Sequence, residues 1–338
     1  KTLINNDYDI FSDYYNINNY GLWEHGNYVL IRKDDDATIL KKHKLTKEEL
    51  QEKKENWKHI LFNEREKRDK PRLDDKTLTS WNALMLKGYV DAYRVLGDES
   101  YLNSALKNAN FIVNTQLRED GGLYHSYKNG KSTINGYLED YAASIESFIA
   151  LYENTLDQKW LNNSRDLTNY TLDHFFDDTN KMFFFTSDED ASLITRNIEY
   201  LDNVIPASNS IMAKNLFKLS HYFDNETYFK IATTMLNNVK PEIESYSSSY
   251  SNWLDLMLNY SNEFYEVAIV GQKVFEKIKE LNNTYIPNKM IVGSLIENDL
   301  PLLKNRYAEG KTLIYVCVNK ACKFPVEQVD EAIKLIKN

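Results

Sequence analysis

Three stretches of this chain repeat one pattern: Asp98-Glu99-Ser100-Tyr101-Leu102-Asn103-Ser104-Ala105, Asp157-Gln158-Lys159-Trp160-Leu161-Asn162-Asn163-Ser164 and Asn225-Glu226-Thr227-Tyr228-Phe229-Lys230-Ile231-Ala232. In each, a polar turn leads into an aromatic residue, then an apolar residue, then a small residue three further on. The aromatics lie 59 and then 68 positions apart. Each stretch opens a helix, because apolar residues follow at helical spacing. Leu102, Ala105, Ala109 and Ile112 make one stripe, and Tyr228, Ala232, Met235 and Val239 another. A second helix precedes each motif: Trp81, Leu84, Met85, Tyr89 and Tyr93 share a face, as do Tyr141, Ile145, Ile149, Tyr152 and Leu156, and Met212, Leu216, Leu219 and Phe223. The unit is therefore a helical hairpin, repeated three times between about residues 74 and 240.

Repeated hairpins either stack as an open solenoid or close as a toroid. The links contain aromatic stretches that read as short extended excursions, Gly121-Gly122-Leu123-Tyr124-His125 and Lys181-Met182-Phe183-Phe184-Phe185. Such excursions and the unequal spacing favour a toroid. After Tyr260 the composition changes. Short buried-strand patterns at Glu266–Gly271, Lys289–Gly293 and Thr312–Val318 alternate with helical patterns at Val274–Leu281 and Val326–Ile336. They predict a small α/β unit with parallel-strand character. The expected organisation is an irregular lead-in with a polar helix over residues 1–70, a helical-hairpin region over 71–262, and an α/β domain over 263–338. Within the lead-in, Tyr14–Ile17 and Gly21–Asn27 read as loop and turn, and Thr46–Lys67 as one long helix.

The chain has 338 residues, 42% of them hydrophobic, with 24 Tyr and 15 Phe, ample for a large core. No apolar run approaches the length of about twenty residues that spans a bilayer, so no membrane partner is expected. The net charge of −9 argues against nucleic acid. The Lys-rich run Lys41–Lys58 is interleaved with Glu and reads as a solvated helix face. Lys1–Asp9 is polar and unlike a signal peptide, and it begins without Met. Compartment is therefore not legible at this end, and a cytoplasmic location is the default expectation. The two cysteines, Cys317 and Cys322, cannot complete a four-ligand zinc site, so no metal is expected on them. Their Cys-x4-Cys spacing reads as reduced structural thiols, with a disulfide as the alternative.

Several stretches resemble a known family. Arg68-Asp69-Lys70-Pro71-Arg72-Leu73-Asp74-Asp75-Lys76, continuing through Leu78-Thr79-Ser80-Trp81-Asn82, resembles the most recognisable signature of the YyaL-like, spermatogenesis-associated protein 20 family. Leu138-Glu139-Asp140-Tyr141-Ala142 is similar to its Asp-Asp-Tyr-Ala segment. Arg196, Asp202 and Pro206-Ala207-Ser208-Asn209 are similar to its Arg…Asp…Pro-Ser-Gly-Asn segment, and Cys317 to Pro325 to its C-terminal cysteine motif. The matches occur in family order over nearly the whole chain. Departures are Glu139 for an Asp, Ala83 for a Gly, and Ala207-Ser208 for Ser-Gly. The resemblance implies part of an (α/α)6 toroid, similar to N-acylglucosamine 2-epimerases and six-hairpin glycosidases. In the full-length chain a thioredoxin-like domain would precede it.

The signatures share one place in the repeat. Asp74, Asp75 and Lys76 precede the first helix of hairpin one, Glu139 and Asp140 that of hairpin two, and Ser208 and Asn209 that of hairpin three. In a toroid these positions face one end of a central funnel. Asp75 and Asp140 are the candidate catalytic acid and base, with Glu139 and Asp74 beside them. Lys76, Trp81, Asn82, His125, Arg196 and Asn209 are candidate substrate contacts. The competing reading is ordinary helix capping by Asp, Ser and Asn, with Trp81 in the core, His125 simply exposed, and Arg196 ion-paired to Glu199 or Asp202. If the residues form a site, Asp140→Asn is expected to impair it and barely change the melting temperature. A sugar or sugar-phosphate ligand, with no cofactor, is the leading functional expectation. A non-catalytic toroid serving a thioredoxin-like domain, or a purely structural piece, stays open beside it.

Overall fold

The computed structural model describes residues 1–191 and 195–337, which fall into two compact units, Lys1–Asp74 and Asp75–Asn338. In the first, α1 (Tyr8–Tyr14), α2 (Asp36–His43) and α3 (Lys47–Glu66) enclose Phe11, Tyr14, Ile39, Leu50 and Trp57. Thr46 and Glu49 close a reciprocal capping box at the start of α3, which satisfies donors that the first helical turn leaves unpaired. The helix expected over Thr46–Lys67 is thus present, and its polar surface is interrupted by the buried Leu50 and Trp57. Tyr14, expected in a loop, instead ends α1. At seven residues that helix is too short to show a period in the sequence.

The second unit is built on the three expected hairpins. Strand β1 (Thr77–Leu78) leads into α4 (Thr79–Leu96), which pairs with α5 (Glu99–Phe111). Strands β2 (Tyr124–Lys128) and β3 (Lys131–Asn135) form an antiparallel excursion joined by β1. Helices α6 (Leu138–Thr155) and α7 (Gln158–His174) follow, then the short β4 (Phe176–Asp177) and β5 (Met182–Phe183), then α8 (Ser208–Phe223) and α9 (Glu226–Ile243). The repeated motif has a direct physical meaning. Asp98, Asp157 and Asn225 are the N-caps of α5, α7 and α9, and their side chains accept the N–H of Ser100, Lys159 and Thr227. The residue before each cap, Gly97, Leu156 and Asp224, is left-handed, with φ of 69°, 56° and 54°. The helix pair therefore reverses in two residues. Ala105, Ser164 and Ala232 are wholly buried, and their small side chains let the paired helices close up.

Helices α4, α6 and α8 lie side by side, with α6 in the middle. It packs against α4, α7 and α8 and is buried on nearly every face, its polar Asp140, Ser144, Ser147, Glu153 and Asn154 included. Asn215 of α8 donates to the Ala142 carbonyl of α6 at 2.8 Å, tying the two together. The face expected for α4 is corrected. Ala83, Leu86 and Val90 are its buried stripe, whereas Trp81 and Met85 stand 67% and 55% exposed. Leu84 and Tyr89 are partly buried on the flank. Apolar residues lie on more than one side of this helix, so periodicity alone picked the wrong one.

Helix α10 (Ser251–Ser261) leads into a four-stranded sheet of β6 (Tyr265–Val270), β7 (Lys289–Ser294), β8 (Leu313–Val318) and β9 (Ala321–Cys322), with α11 (Val274–Asn282) and α12 (Val329–Lys337). The strand order is β7-β6-β8-β9. The pair β6–β7 is parallel, but β8 runs antiparallel to β6, so the sheet is mixed rather than parallel in character. Alternation along β6 sends Ala268 and Val270 to the helical core, and Val267 and Ile269 to a second core with α11 and α12. Cys317 and Cys322 stand opposite each other across the β8–β9 hairpin and form a disulfide. This corrects the expectation of reduced thiols: six residues of sequence turned back on themselves bring the two Cα atoms to 3.9 Å.

Candidate functional site

The amino ends of α4 and α6 meet at Asp140. Its carboxylate accepts the Ser80 N–H of α4 at 2.8 Å and the Tyr137 N–H at the start of its own helix at 2.9 Å. The same carboxylate faces His125 Nδ1 of β2 at 2.9 Å, and Asp140 is 0% exposed. Both sequence readings of Asp140 thus meet in one side chain, which caps two helices and orients an imidazole. Gly136 makes the geometry possible. A Cβ there would lie 2.7 Å from the Leu123 carbonyl and 3.0 Å from the Tyr141 ring. The backbone can therefore press β2 against the start of α6 only without a side chain at 136.

Glu139, next in the turn, is half-buried and accepts from the Ser80 hydroxyl at 3.3 Å. Burial pushes its carboxyl above the ordinary carboxylate range, and the neighbouring Asp140 charge adds to the shift. His125 moves upward as well, chiefly through its hydrogen bond to Asp140, against an opposing effect of burial. The Tyr137 ring lies 4.8 Å from the imidazole and stacks on Phe185 at 5.1 Å. One ligand atom each of His125, Glu139 and Asp140 lies within 4.8 Å of the others, a grouping able to hold a cation. Asp140 already receives two backbone N–H groups and His125 Nδ1, so its own oxygens are largely engaged, while His125 Nε2 and Glu139 keep capacity for a ligand or a proton.

The remaining sequence candidates divide. Asp75 is exposed and ion-paired to Lys128 of β2, which holds its carboxyl below the ordinary range. It therefore answers a lysine on the excursion rather than joining Asp140. Asp74 is exposed at the end of the first unit. Lys76 is exposed before β1, near enough for its charge to oppose protonation of His125. Asn82 donates to the Leu78 carbonyl at 2.8 Å, a contact within the first turn of α4. Trp81, set beside Ser80, presents its indole to solvent. Asn209 is fully buried and its amide is spent on the backbone of Phe183 and Glu199, so it ties β5 to α8 rather than facing a ligand. Arg196 donates to the carbonyls of His174 and Thr186 and lies over Phe184, instead of pairing with Glu199 or Asp202. Those two acids serve the start of α8: Glu199 accepts from the Ser208 hydroxyl at 2.7 Å and Asp202 from the Ala207 N–H at 2.9 Å. The Glu199 charge also adds to the upward shift of Glu139, after burial and Asp140. No spacing in the sequence marked Glu199, because it sits in the irregular link ahead of α8.

The helices form side-by-side hairpins, α4–α5, α6–α7 and α8–α9, whose first helices carry polar groups at one end. Solved structures to which the chain is similar include the α-mannanase of Bacteroides thetaiotaomicron (TM-score 0.46, 16% identity, 68% of this chain and 65% of that one) and the unsaturated glucuronyl hydrolase of Bacillus sp. GL1 (TM-score 0.41, 15% identity, 51% and 49%). By sequence, the chain is 27% identical to human spermatogenesis-associated protein 20 over 298 residues, 82% of this chain and 38% of that protein. It is also 27% identical to the uncharacterized protein B0495.5 of Caenorhabditis elegans, over 97% of this chain and 48% of that one. An unsaturated glucuronyl hydrolase of Formosa agariphila is 24% identical over 178 residues. No family model matches. The chain is thus similar in sequence to spermatogenesis-associated protein 20, in agreement with the resemblance of its motifs, and it spans less than half the length of the proteins it matches. Among the described residues no helix is long and apolar enough to cross a membrane.

Proposed function

We propose that this toroid segment acts on a carbohydrate by proton transfer, with Glu139 as base and protonated His125 as acid. The observation that carries the reading is the His125–Asp140 pair, with the Glu139 carboxyl beside it. Asp140 holds the imidazolium in place, as a positioning residue. Glu139, lifted by burial, is a stronger base than an ordinary carboxylate. It would take the proton from a sugar carbon next to a carbonyl, while His125 gives its proton to the carbonyl oxygen. The neutral enediol that results is returned to product by the reverse transfers, as an epimer or an isomer according to where the proton lands. Glycoside hydrolysis is less well served. It needs two accessible carboxyl groups across the scissile bond, and Asp140 is sealed from solvent. The exposed Trp81 offers a platform for a sugar ring, and the likeness to sugar-processing enzymes agrees with this choice of ligand.

The test is deuterium exchange at carbon 2 of aldoses, ketoses and their N-acyl derivatives, followed by proton NMR in heavy water. The expected profile is a bell. Its rising limb is Glu139 losing its proton and its falling limb is His125 losing its own. Glu139→Gln should lower exchange by about 10²–10⁴-fold with little change in melting temperature, since among the described residues its side chain hydrogen-bonds Ser80 alone, at 3.3 Å. An unchanged rate in that variant, or no exchange with any sugar, rejects the reading. A non-catalytic toroid that presents a protein-binding face, for example to a thioredoxin-like domain, would draw instead on the exposed Trp81 and Met85 of α4. It requires that partner binding fall in Trp81→Ala and survive in Glu139→Gln.

A further inference from the structure

A polar cavity lies toward the carboxyl ends of α4, α6 and α8, away from the His125 cluster. Asp140 and Glu153 are thirteen positions apart on α6, roughly 20 Å at the helical rise. The cavity has a volume of about 510 Å³ and opens between α4, α6, α8 and the segment that joins α11 to β7. Four cations line it: Lys87 and Arg94 of α4, Lys218 of α8 and Lys289 of β7. Two carboxylates line it as well, and both are engaged. Asp255 pairs with Lys214 at 2.6 Å, and Glu153 accepts the Tyr222 hydroxyl at 2.9 Å while Lys218 stands off at 3.8 Å. Lys87 and Arg94 share Asp91. Lys289 differs from the rest. Among the described residues no carboxylate lies within 4 Å of its ammonium, whose one hydrogen bond is a 3.3 Å contact with the Ile286 carbonyl. Burial pushes its pKa down to about 8, with Arg94 and Lys218 repelling it further and Glu153 partly offsetting them. Asn282 lines the same cavity, and its Oδ1 is buried with no hydrogen-bond partner.

A half-buried ammonium set among like charges is costly unless an anion joins it. We infer that this cavity binds a small phosphorylated polyol, with the phosphate between Lys289, Lys218 and Arg94 and its hydroxyls toward the polar lining of Asn154, Asn283 and Thr284. The volume is in the range of small-molecule sites, and a phosphate monoester supplies both the charge and the hydroxyls that the lining lacks. This site is independent of the proton-transfer reading, because it shares no residue with the His125 cluster.

The experiment is calorimetric titration of the full chain with inorganic phosphate, glucose and glucose 6-phosphate at low salt. Glucose 6-phosphate should bind at 1:1, about tenfold more tightly than phosphate, and glucose should not bind. At pH 8.5 binding should take up a proton as the Lys289 amine is charged, so the observed heat should depend on the buffer. The other charged or titratable groups facing it are Lys87, Arg94, Lys218, Glu153, Asp255 and Tyr285. Lys289→Met and Lys218→Met should each weaken phosphate binding about tenfold or more. Lys289→Met should also melt no lower than the parent without phosphate, since it removes an unpaired cation. No binding in the millimolar range, or binding untouched by both substitutions, overturns the site. Equal affinity for phosphate and glucose 6-phosphate overturns the polyol. A Lys289→Met chain that unfolds well below the parent shows a structural lysine and overturns the inference too.

Discussion

Replacing Asp140 by Asn removes one charge and keeps the shape, and the structure gives the cost. The carboxylate accepts the Ser80 and Tyr137 N–H groups at 2.8 and 2.9 Å with separate oxygens and meets His125 at 2.9 Å. An amide has one oxygen. Whichever way it turns, its NH2 faces a backbone N–H at a site that is wholly buried. An unsatisfied buried donor costs about 1–3 kcal/mol, and charge-assisted bonds carry more than neutral ones. We expect Asp140→Asn to lose about 2 kcal/mol and to melt roughly 5 °C lower, at about 2–4 °C per kcal/mol for a unit of this size. This reverses the expectation from sequence that the melting temperature would barely change, which rests on Asn capping a helix about as well as Asp. That equivalence holds for one acceptor and one donor, not for two donors on two oxygens. His125 gives the second readout. Its raised pKa contributes stability that is present in full below the ordinary imidazole value, about 6.5, and is lost as pH rises through the raised one. The gap between parent and variant should therefore be widest in mild acid and narrow above neutrality, and the His125 titration should move down in NMR. A variant that melts within about 1 °C of the parent, with its His125 titration in place, would refute the account.

Two further outcomes test the packing of the repeat. Asn225→Ala should cost about 1–2 kcal/mol in urea unfolding, since Asn225 accepts the N–H groups of both Thr227 and Tyr228; an unchanged midpoint would count against that cap. Ala232→Leu should cost about 1–3 kcal/mol through overpacking at a wholly buried position, and a neutral result would mean that α9 has room the structure does not show.

The hairpins were legible because their signals are local. A cap, an aromatic and a small residue recur within eight positions, and each has a one-residue physical job. The site was legible only in part. Asp140 could be placed at a helix start from sequence, but its three partners come from α4, β2 and its own turn, and no linear pattern joins Ser80, His125 and Tyr137. Asp75 and Asn209 shared the same position in the repeat and still diverged, one to a lysine on β2 and the other to backbone on β5. Equivalent placement in a repeat fixes an address, while the irregular excursions decide what stands there. The strand directions of β6, β7 and β8 were hidden for a related reason: a buried strand reads as one apolar run whichever way it points.

The two-residue reversals at Gly97-Asp98, Leu156-Asp157 and Asp224-Asn225 have a counterpart at the other end of the bundle. There the chain crosses from one hairpin to the next through residues 117–137 and 175–207. One end of the bundle is pinned by three short hinges in which a single inserted residue would swing an outer helix off its partner. The other end is crossed by longer links, and it is one of these that supplies His125 and Tyr137. The scaffold thus sets short, fixed reversals at one end against long crossings at the other, where the amino ends of α4 and α6 and the strand β2 share Asp140.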